Sequence, residues 1–394
     1  MIDKKLKGQF FTTNSNYILY GFDKFVRDKN IVDPFAGNKD LINWAINNGA
    51  QKIKGFDIDK RYVDGNLVLY NDSILDPQEY DFVLTNPPYL HKNKASIEVK
   101  NKYFSRENGF LEDLYQISLK SILNSQEGIL IVPLNFLSAE NSDKIRRIFF
   151  SKFEIIALNI FTHKVFEDTT YNVVSFFYRR KKKPSYQNII SAKIFPAKED
   201  KVFILDEKYG WQLGGEFHSK INLNDNFLGV RRLTENHLQA GECEIPLAYN
   251  NIKEQKTYRI NQKTLNLLHK NIILLRAIDS KNGQKVQLED IRQYGVIGLV
   301  GKESSRNMAS FLLPEELDIE MQEKIIDIFN KELTDARKEY FSFFLTNFRD
   351  NNRKRISFDF AYKFINYIYF YKMRSNFNRQ RRLILNENQI ETTI

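Results

Sequence analysis

The chain has 394 residues, a formal charge of +10 and one cysteine, Cys243. That length allows two domains and a large core, while a single thiol excludes an internal disulfide and a multi-cysteine zinc site. No run approaches the length of a membrane span, Met1-Ile2-Asp3-Lys4-Lys5 lacks the apolar stretch of a signal peptide, and the 5 histidines show no metal-ligand spacing, so a soluble cytoplasmic protein without a metal is expected.

Residues 1–180 alternate short apolar strands with helical patterns, which predicts an α/β fold with an open parallel sheet and crossover helices. The expected strands are Asn30–Val32, Lys52–Phe56, Phe82–Leu84, Ile129–Val132, Ile155–Ile160 and Val173–Tyr178. Leu111, Leu114, Tyr115, Leu119 and Ile122 share one face of a helix expected over 111–124. The polar segment 92–109 reads as a long loop, of the kind that covers a site or is merely irregular.

The first strand ends in Asp33-Pro34-Phe35-Ala36-Gly37-Asn38-Lys39, and a doubly wound sheet opens a nucleoside pocket at such a strand end. Asp57 follows at the end of the next strand, near the spacing at which an acid holds ribose hydroxyls. Asp72 ends a further short segment and suits an adenine amine, although any one of these carboxylates also fits a water-facing turn. Lys39 stands where a second glycine would complete G-x-G, and neither G-x-G-x-x-G nor a phosphate loop is present, which argues against a nicotinamide dehydrogenase or a nucleotide hydrolase.

After the third strand comes Asn86-Pro87-Pro88-Tyr89. Prolyl nitrogens carry no hydrogen, so the turn is stiff and rich in acceptors: the Asn86 amide oxygen and nearby carbonyls. Acceptors so placed suit a planar NH2 group, and the Tyr89 ring offers a face to a base. A plain proline turn after a strand also fits the tetrapeptide alone.

Arg179-Arg180-Lys181-Lys182-Lys183-Pro184 combines a charge run with a proline and marks the expected domain boundary. Residues 1–180 hold 24 basic and 22 acidic side chains, and residues 181–394 hold 35 and 27. A basic second half points to a polyanion, most simply nucleic acid, though a lysine-rich solvated surface gives the same count. Helices are expected over 260–277 and 316–344, the latter with Ile325, Phe329, Leu333, Ala336, Tyr340 and Phe344 as a core stripe.

Taken in order, Gly8-Gln9-Phe10-Phe11-Thr12, Asp33-Pro34-Phe35-Ala36-Gly37, Asn86-Pro87-Pro88-Tyr89, Asp113-Leu114-Tyr115, the strand 128–133 and Lys164-Val165-Phe166 resemble a gamma-class DNA adenine-N6 methyltransferase of a bacterial type II restriction–modification system. The resemblance covers about residues 8–178. It implies a Rossmann-like S-adenosylmethionine-binding catalytic domain over 1–180 and a DNA target-recognition domain over 185–394. It implies that Thr12 contacts the cofactor carboxylate beside Gly8 and Phe11, that Asp33, Ala36 and Gly37 line the methionine end, that Asp57 holds the ribose with Ile58 against the adenine, and that Asp72 takes the adenine amine. It further implies that Asn86 and the Pro87 carbonyl bind the target N6 amine, that Pro88 stiffens the turn, that Tyr89 stacks on a base flipped from double-stranded DNA, and that Phe166 contacts that base from another side. Arg349–Arg355 and Arg379–Arg382 are candidate DNA contacts. A cognate restriction endonuclease would be linked in function, and no nuclease domain is expected ahead of Gly8. RNA adenine methyltransferases and protein glutamine methyltransferases use the same amine-binding turn and remain alternatives.

Overall fold

The computed structural model describes residues 8, 10–167, 171–314, 317–347 and 353–374. They fall into two compact units, one ending at Gly215 and one beginning at Glu216, with Thr346 and Asn347 returned to the first.

The first unit is built on a nine-stranded sheet: β1 (Asn30–Asp33), β2 (Lys52–Asp57), β3 (Val68–Tyr70), β4 (Tyr80–Thr85), β5 (Ser125–Pro133), β6 (Phe153–Phe161), β7 (Val173–Arg180), β8 (Gln187–Phe195) and β9 (Glu199–Asp206), in the order β3-β2-β1-β4-β5-β7-β6-β8-β9. Neighbours from β3 to β5 are parallel, β7 is antiparallel to both β5 and β6, and β8 and β9 extend the far edge. The expected parallel sheet is thus one half of a mixed sheet. The core strands are apolar on both faces, as a covered sheet requires: Phe82, Val83 and Leu84 of β4 and Ile129 to Val132 of β5 are buried. Each such side chain contributes about 1.5–3 kcal/mol. The helices used below are α1 (Asp40–Asn47), α2 (Ile97–Tyr103), α3 (Leu114–Ser121) and α4 (Asp143–Lys152).

Two expectations are corrected in this unit. The basic run after β7 is a connection inside the sheet, because β8 and β9 continue it. Its side chains close carbonyls: Arg180 Nη2 donates to Leu123 O and Ser125 O at 2.6 Å each, and Lys181 Nζ donates to Phe150 O at 2.6 Å. The segment 92–109 is also not a plain loop, since it folds α2, with the Ser96 hydroxyl accepting from the Val99 amide as its N-cap.

From β1 the chain winds outward through β2 and β3, then crosses to β4 on the other side of β1. That reversal is the switch point at which open α/β sheets bind ligands, outside the carboxyl ends of the strands. Asp33 ends β1 and Asn86 follows β4, so the two sequence motifs meet there.

In the second unit β13 (Ile273–Arg276) pairs antiparallel with β14 (Gln287–Asp290) and β16 (Met308–Leu312), and β10 (Arg231–Arg232) adds an edge. A second sheet joins β11 (Ala240–Tyr249), β12 (Asn251–Ile260) and β15 (Leu299–Val300). The helix expected over 260–277 is only α5 (Gln262–His269), because Ile273, Leu274 and Leu275 are buried between two strands. A short continuous apolar run fits strand or helix equally, and here sheet pairing decides. Helix α6 (Ile319–Glu339) buries Ile325, Phe329, Leu333 and Ala336 with Phe364 of α7 (Phe358–Tyr367), as its stripe predicts. Phe344, placed on that stripe, is buried but lies past the helix end.

Candidate functional site

The ends of β1, β2, β3 and β4 and the N-terminal segment enclose a cavity of about 690 Å³ at the switch point, a size typical of cofactor sites. Phe11, Thr12, Asp33, Ala36, Gly37, Asp57, Ile58, Asp72, Asn86 and Pro88 line it. Sequence reasoning therefore brings ten of its fourteen residues to one place. Gly8, Pro87, Tyr89 and Phe166 are not on the lining.

Asp33 is 2% exposed, and its Oδ1 accepts from Thr85 Oγ1 at 2.6 Å and from the Phe35 amide at 3.0 Å. Burial pushes this carboxyl up to about 7; the two hydrogen bonds oppose the rise, and the Asp57 charge adds to it. Both of those partners are neutral, so the carboxylate favours a cation in the cavity.

Asp57 links the first two strand ends. Its oxygens accept from the Gly37 amide at 2.8 Å and the Asp59 amide at 2.7 Å. Lys39, in place of the second glycine, adopts φ 67° as the residue before α1. That left-handed conformation costs a non-glycine residue about 1 kcal/mol or more. The Lys39 ammonium reaches Asp64 at 2.7 Å, so the departure from G-x-G leaves the turn intact and adds an ion pair at its rim.

At the third strand end Asp72 is already engaged. Its Oδ2 accepts from Tyr103 Oη at 2.9 Å and pairs with Lys102 Nζ at 2.8 Å. Ser96, Glu98, Val99, Lys102 and Tyr103 join the lining from α2 and the residue before it. Sequence reasoning missed this wall. The available signal was Ser96 as an N-cap ahead of Glu98 in the first turn.

The Asn86 carboxamide is fixed from both ends. Nδ2 donates to Phe10 O at 2.8 Å and Thr12 Oγ1 at 3.1 Å, and Oδ1 accepts from Tyr89 Oη at 2.5 Å. Tyr89 Oη also lies 2.8 Å from Ile131 O, and its one proton serves one of these two acceptors at a time. The Tyr89 ring is 4% exposed, tilted against Phe10 at 5.5 Å and edge-on to Tyr115 and Tyr171. It therefore presents no open stacking face here. Phe166 is buried away from the lining.

Gly8 also has a different task from the one expected. It sits at φ +69°, its carbonyl accepts from the Tyr89 amide at 2.9 Å, and a Cβ added there would meet Tyr89 O at 2.7 Å. Only glycine permits that approach, and it holds the N-terminal segment on the proline turn. Asp113 secures the other side: it caps α3 and accepts from the Leu90 amide at 3.1 Å, with its carboxyl pushed up to about 7 by burial.

Of the basic candidates in the second half, Arg349–Asn352 and Arg379–Arg382 lie outside the described residues. Lys354 is 1% exposed, and burial pushes its ammonium down to about 7, so it is a core residue and not a phosphate contact. Arg353 Nε donates to Asp279 O at 2.5 Å.

A buried carboxylate at the first strand end, a second carboxylate 24 positions on and an acceptor-rich third end fit the sulfonium, ribose and adenine of S-adenosylmethionine. The mixed α/β sheet and this cavity are those expected of an S-adenosylmethionine-binding fold. Residues 8–166, under half of the chain, match the family model described as Eco57I restriction-modification methylase. No curated protein matches the sequence. Among solved structures, the chain is similar to the type IIG restriction endonuclease BpuSI (14% identity, 58% of this chain, 36% of that one, TM-score 0.39). It is also similar to the EcoKI M protein (13%, 48% and 49%, 0.38), and to a type I methyltransferase subunit from Streptococcus thermophilus (14%, 47% and 48%, 0.34). The match spans half or less of each of those chains. Among the described residues no helix is long and apolar enough to cross a membrane, and no group of three His, Cys, Asp or Glu could hold a metal ion.

Proposed function

We propose that this protein is a site-specific DNA methyltransferase that methylates N6 of an adenine flipped out of duplex DNA, and that it protects DNA from a separately encoded restriction endonuclease. In this reading the first unit carries catalysis and the second unit, from Glu216, reads the target. The observation that carries it is the orientation of Asn86. Its Nδ2 is tied to Phe10 O and Thr12 Oγ1, so the atom left to face a substrate is the acceptor Oδ1, which keeps a lone pair beyond the one used by Tyr89. An acceptor there selects an amine. With the Pro87 carbonyl as second acceptor, it favours a tetrahedral nitrogen whose lone pair points at the cofactor.

Bound S-adenosylmethionine supplies an activated methyl group on a positively charged sulfur. Asp33 stabilises positive charge at the first strand end, and Asp57 accepts from the ribose. Catalysis by these residues is orientation and electrostatics, with no covalent enzyme intermediate. An adenine amine inside a duplex is out of reach, so the base leaves the stack at a cost of a few kcal/mol. Stacking on Tyr89 returns about 1–3 kcal/mol and requires Phe10 to turn aside. The test is transfer of labelled methyl to unmethylated duplex DNA, with structured RNA in parallel. Label at adenine N6 within one short DNA sequence is expected. Label in RNA alone, or only in protein glutamine, contradicts the reading.

A further inference from the structure

The hairpin of β11 and β12 turns at Asn250, with Glu244 opposite Arg259, Ile245 opposite Tyr258 and Pro246 opposite Thr257. On one face Ile245, Leu247, Tyr258 and Ile260 pack with Leu233, Leu268 and Val300, and the exposed Lys256 lies opposite Leu247. The other face of β12 carries Lys253, Gln255, Thr257 and Arg259, all exposed, at every second position. β12 is also the outer strand of its sheet. We propose that this hairpin enters the major groove of duplex DNA, where Gln255 and Arg259 read base edges and Lys253 meets a phosphate. The inference rests on the reading of the protein as a DNA methyltransferase.

Geometry supports it. Alternate side chains on a strand recur every 6.4–6.8 Å or so, which is about two base-pair steps of 3.4 Å. Two strands about 4.8 Å apart, with their side chains, fit a groove roughly 12 Å wide that is known to admit a two-stranded ribbon. The chemistry is that of base reading. Arginine pairs with two acceptors of guanine, glutamine pairs with adenine, and Glu244 offers an acceptor to a cytosine amine. Glu244 holds Arg259 at 3.3 Å, but their side chains are 58% and 78% exposed, so solvent screens the pair and DNA can displace it. A strip of mixed donors and acceptors discriminates bases, whereas a uniformly basic strip would only follow phosphates. The hairpin carries Lys253, Lys256 and Arg259 against Glu242, Glu244 and Glu254, so its contacts select among bases by hydrogen bonding and add no net charge.

The experiment uses the full chain with S-adenosylmethionine and a duplex library. Gln255→Ala and Arg259→Ala should each lower affinity for the preferred sequence by about 5- to 150-fold and relax the preference at one position. Cofactor binding by calorimetry and the thermal midpoint should stay at wild-type values. Lys253→Ala should weaken all sequences alike and reduce the salt slope by about one. If Arg259→Ala shifts the thermal midpoint, Arg259→Lys carries the test, because it keeps the charge and loses the planar fork. Wild-type DNA methylation with unchanged preference and affinity in the Gln255 and Arg259 variants overturns the hairpin assignment alone. Absence of DNA methylation by the wild type overturns the proposed function and this inference with it.

Discussion

Asp33 and Asp72 line one cavity, yet the fold treats them in opposite ways. Asp33 is buried with a hydroxyl and an amide as partners, and its carboxyl is pushed up to about 7. Asp72 meets Lys102 and Tyr103 from α2, so its charge is already balanced by the chain. In the proposed function the first is the charge that meets the cationic cofactor. The second is a junction between the pocket floor and its outer wall. A carboxylate at a strand end is thus legible as an acid, but its role depends on what the rest of the fold brings to it.

Between the two carboxylates, the larger expected effect comes from Asp33→Asn, which keeps the shape and removes the charge. Thr85 still has an oxygen to bond. Cofactor affinity should fall about 10-fold or more, while the cofactor-free protein becomes more stable at pH 8. An ionised buried Asp33 costs on the order of 4 kcal/mol there, from the rise from 3.8 to about 7. Calorimetric titration and thermal melts check both signs, and unchanged affinity would remove Asp33 from the cofactor site.

The second prediction concerns pH. Because the folded carboxyl lies above its unfolded value, its contribution to stability is fully present below about pH 4 and is lost as pH rises through about 7. Cofactor affinity should change in the reverse sense and strengthen as pH rises through 7, where Asp33 ionises. Asp113 is raised in the same way, so the difference between wild type and Asp33→Asn isolates the cavity residue. A pH-independent difference would break the contrast between the two ends.

The smallest effect is expected from Lys102→Ala. The pair with Asp72 is partly exposed, at 36% and 17%, and such pairs contribute about 0–1 kcal/mol. The Michaelis constant for the cofactor should rise a few-fold with little change in stability or DNA binding. A loss as large as that of Asp33→Asn would make α2 part of the binding core.

Six of the nine strands of the first unit were legible as short apolar runs, and β1, β2, β4 and β5 are closed by Asp, Asn or Pro; β3, β8 and β9 were not read from the sequence. The cavity was legible because the ends of β1, β2, β3 and β4 converge at a switch point. Its outer wall was not, since α2 is polar and only the Ser96 cap marks it. Nor did the sequence show that Gly8 supports the proline turn, because close backbone approach leaves no periodicity. The basic run after β7 reads as a linker until its side chains are seen on the carbonyls of Leu123, Ser125 and Phe150. Tyr89 reads as an open stacking ring, whereas its hydroxyl holds Asn86 and its face meets Phe10.

The central claim is that the Asn86 oxygen receives the substrate amine while the carboxylates hold the cofactor. The direct measurement is Asn86→Ala, assayed for methyl transfer to duplex DNA and, separately, for S-adenosylmethionine affinity by calorimetry. Transfer should fall about 100-fold or more, with affinity within a few-fold of wild type. Full transfer in this variant, or loss of cofactor binding equal to the loss of transfer, would contradict the account.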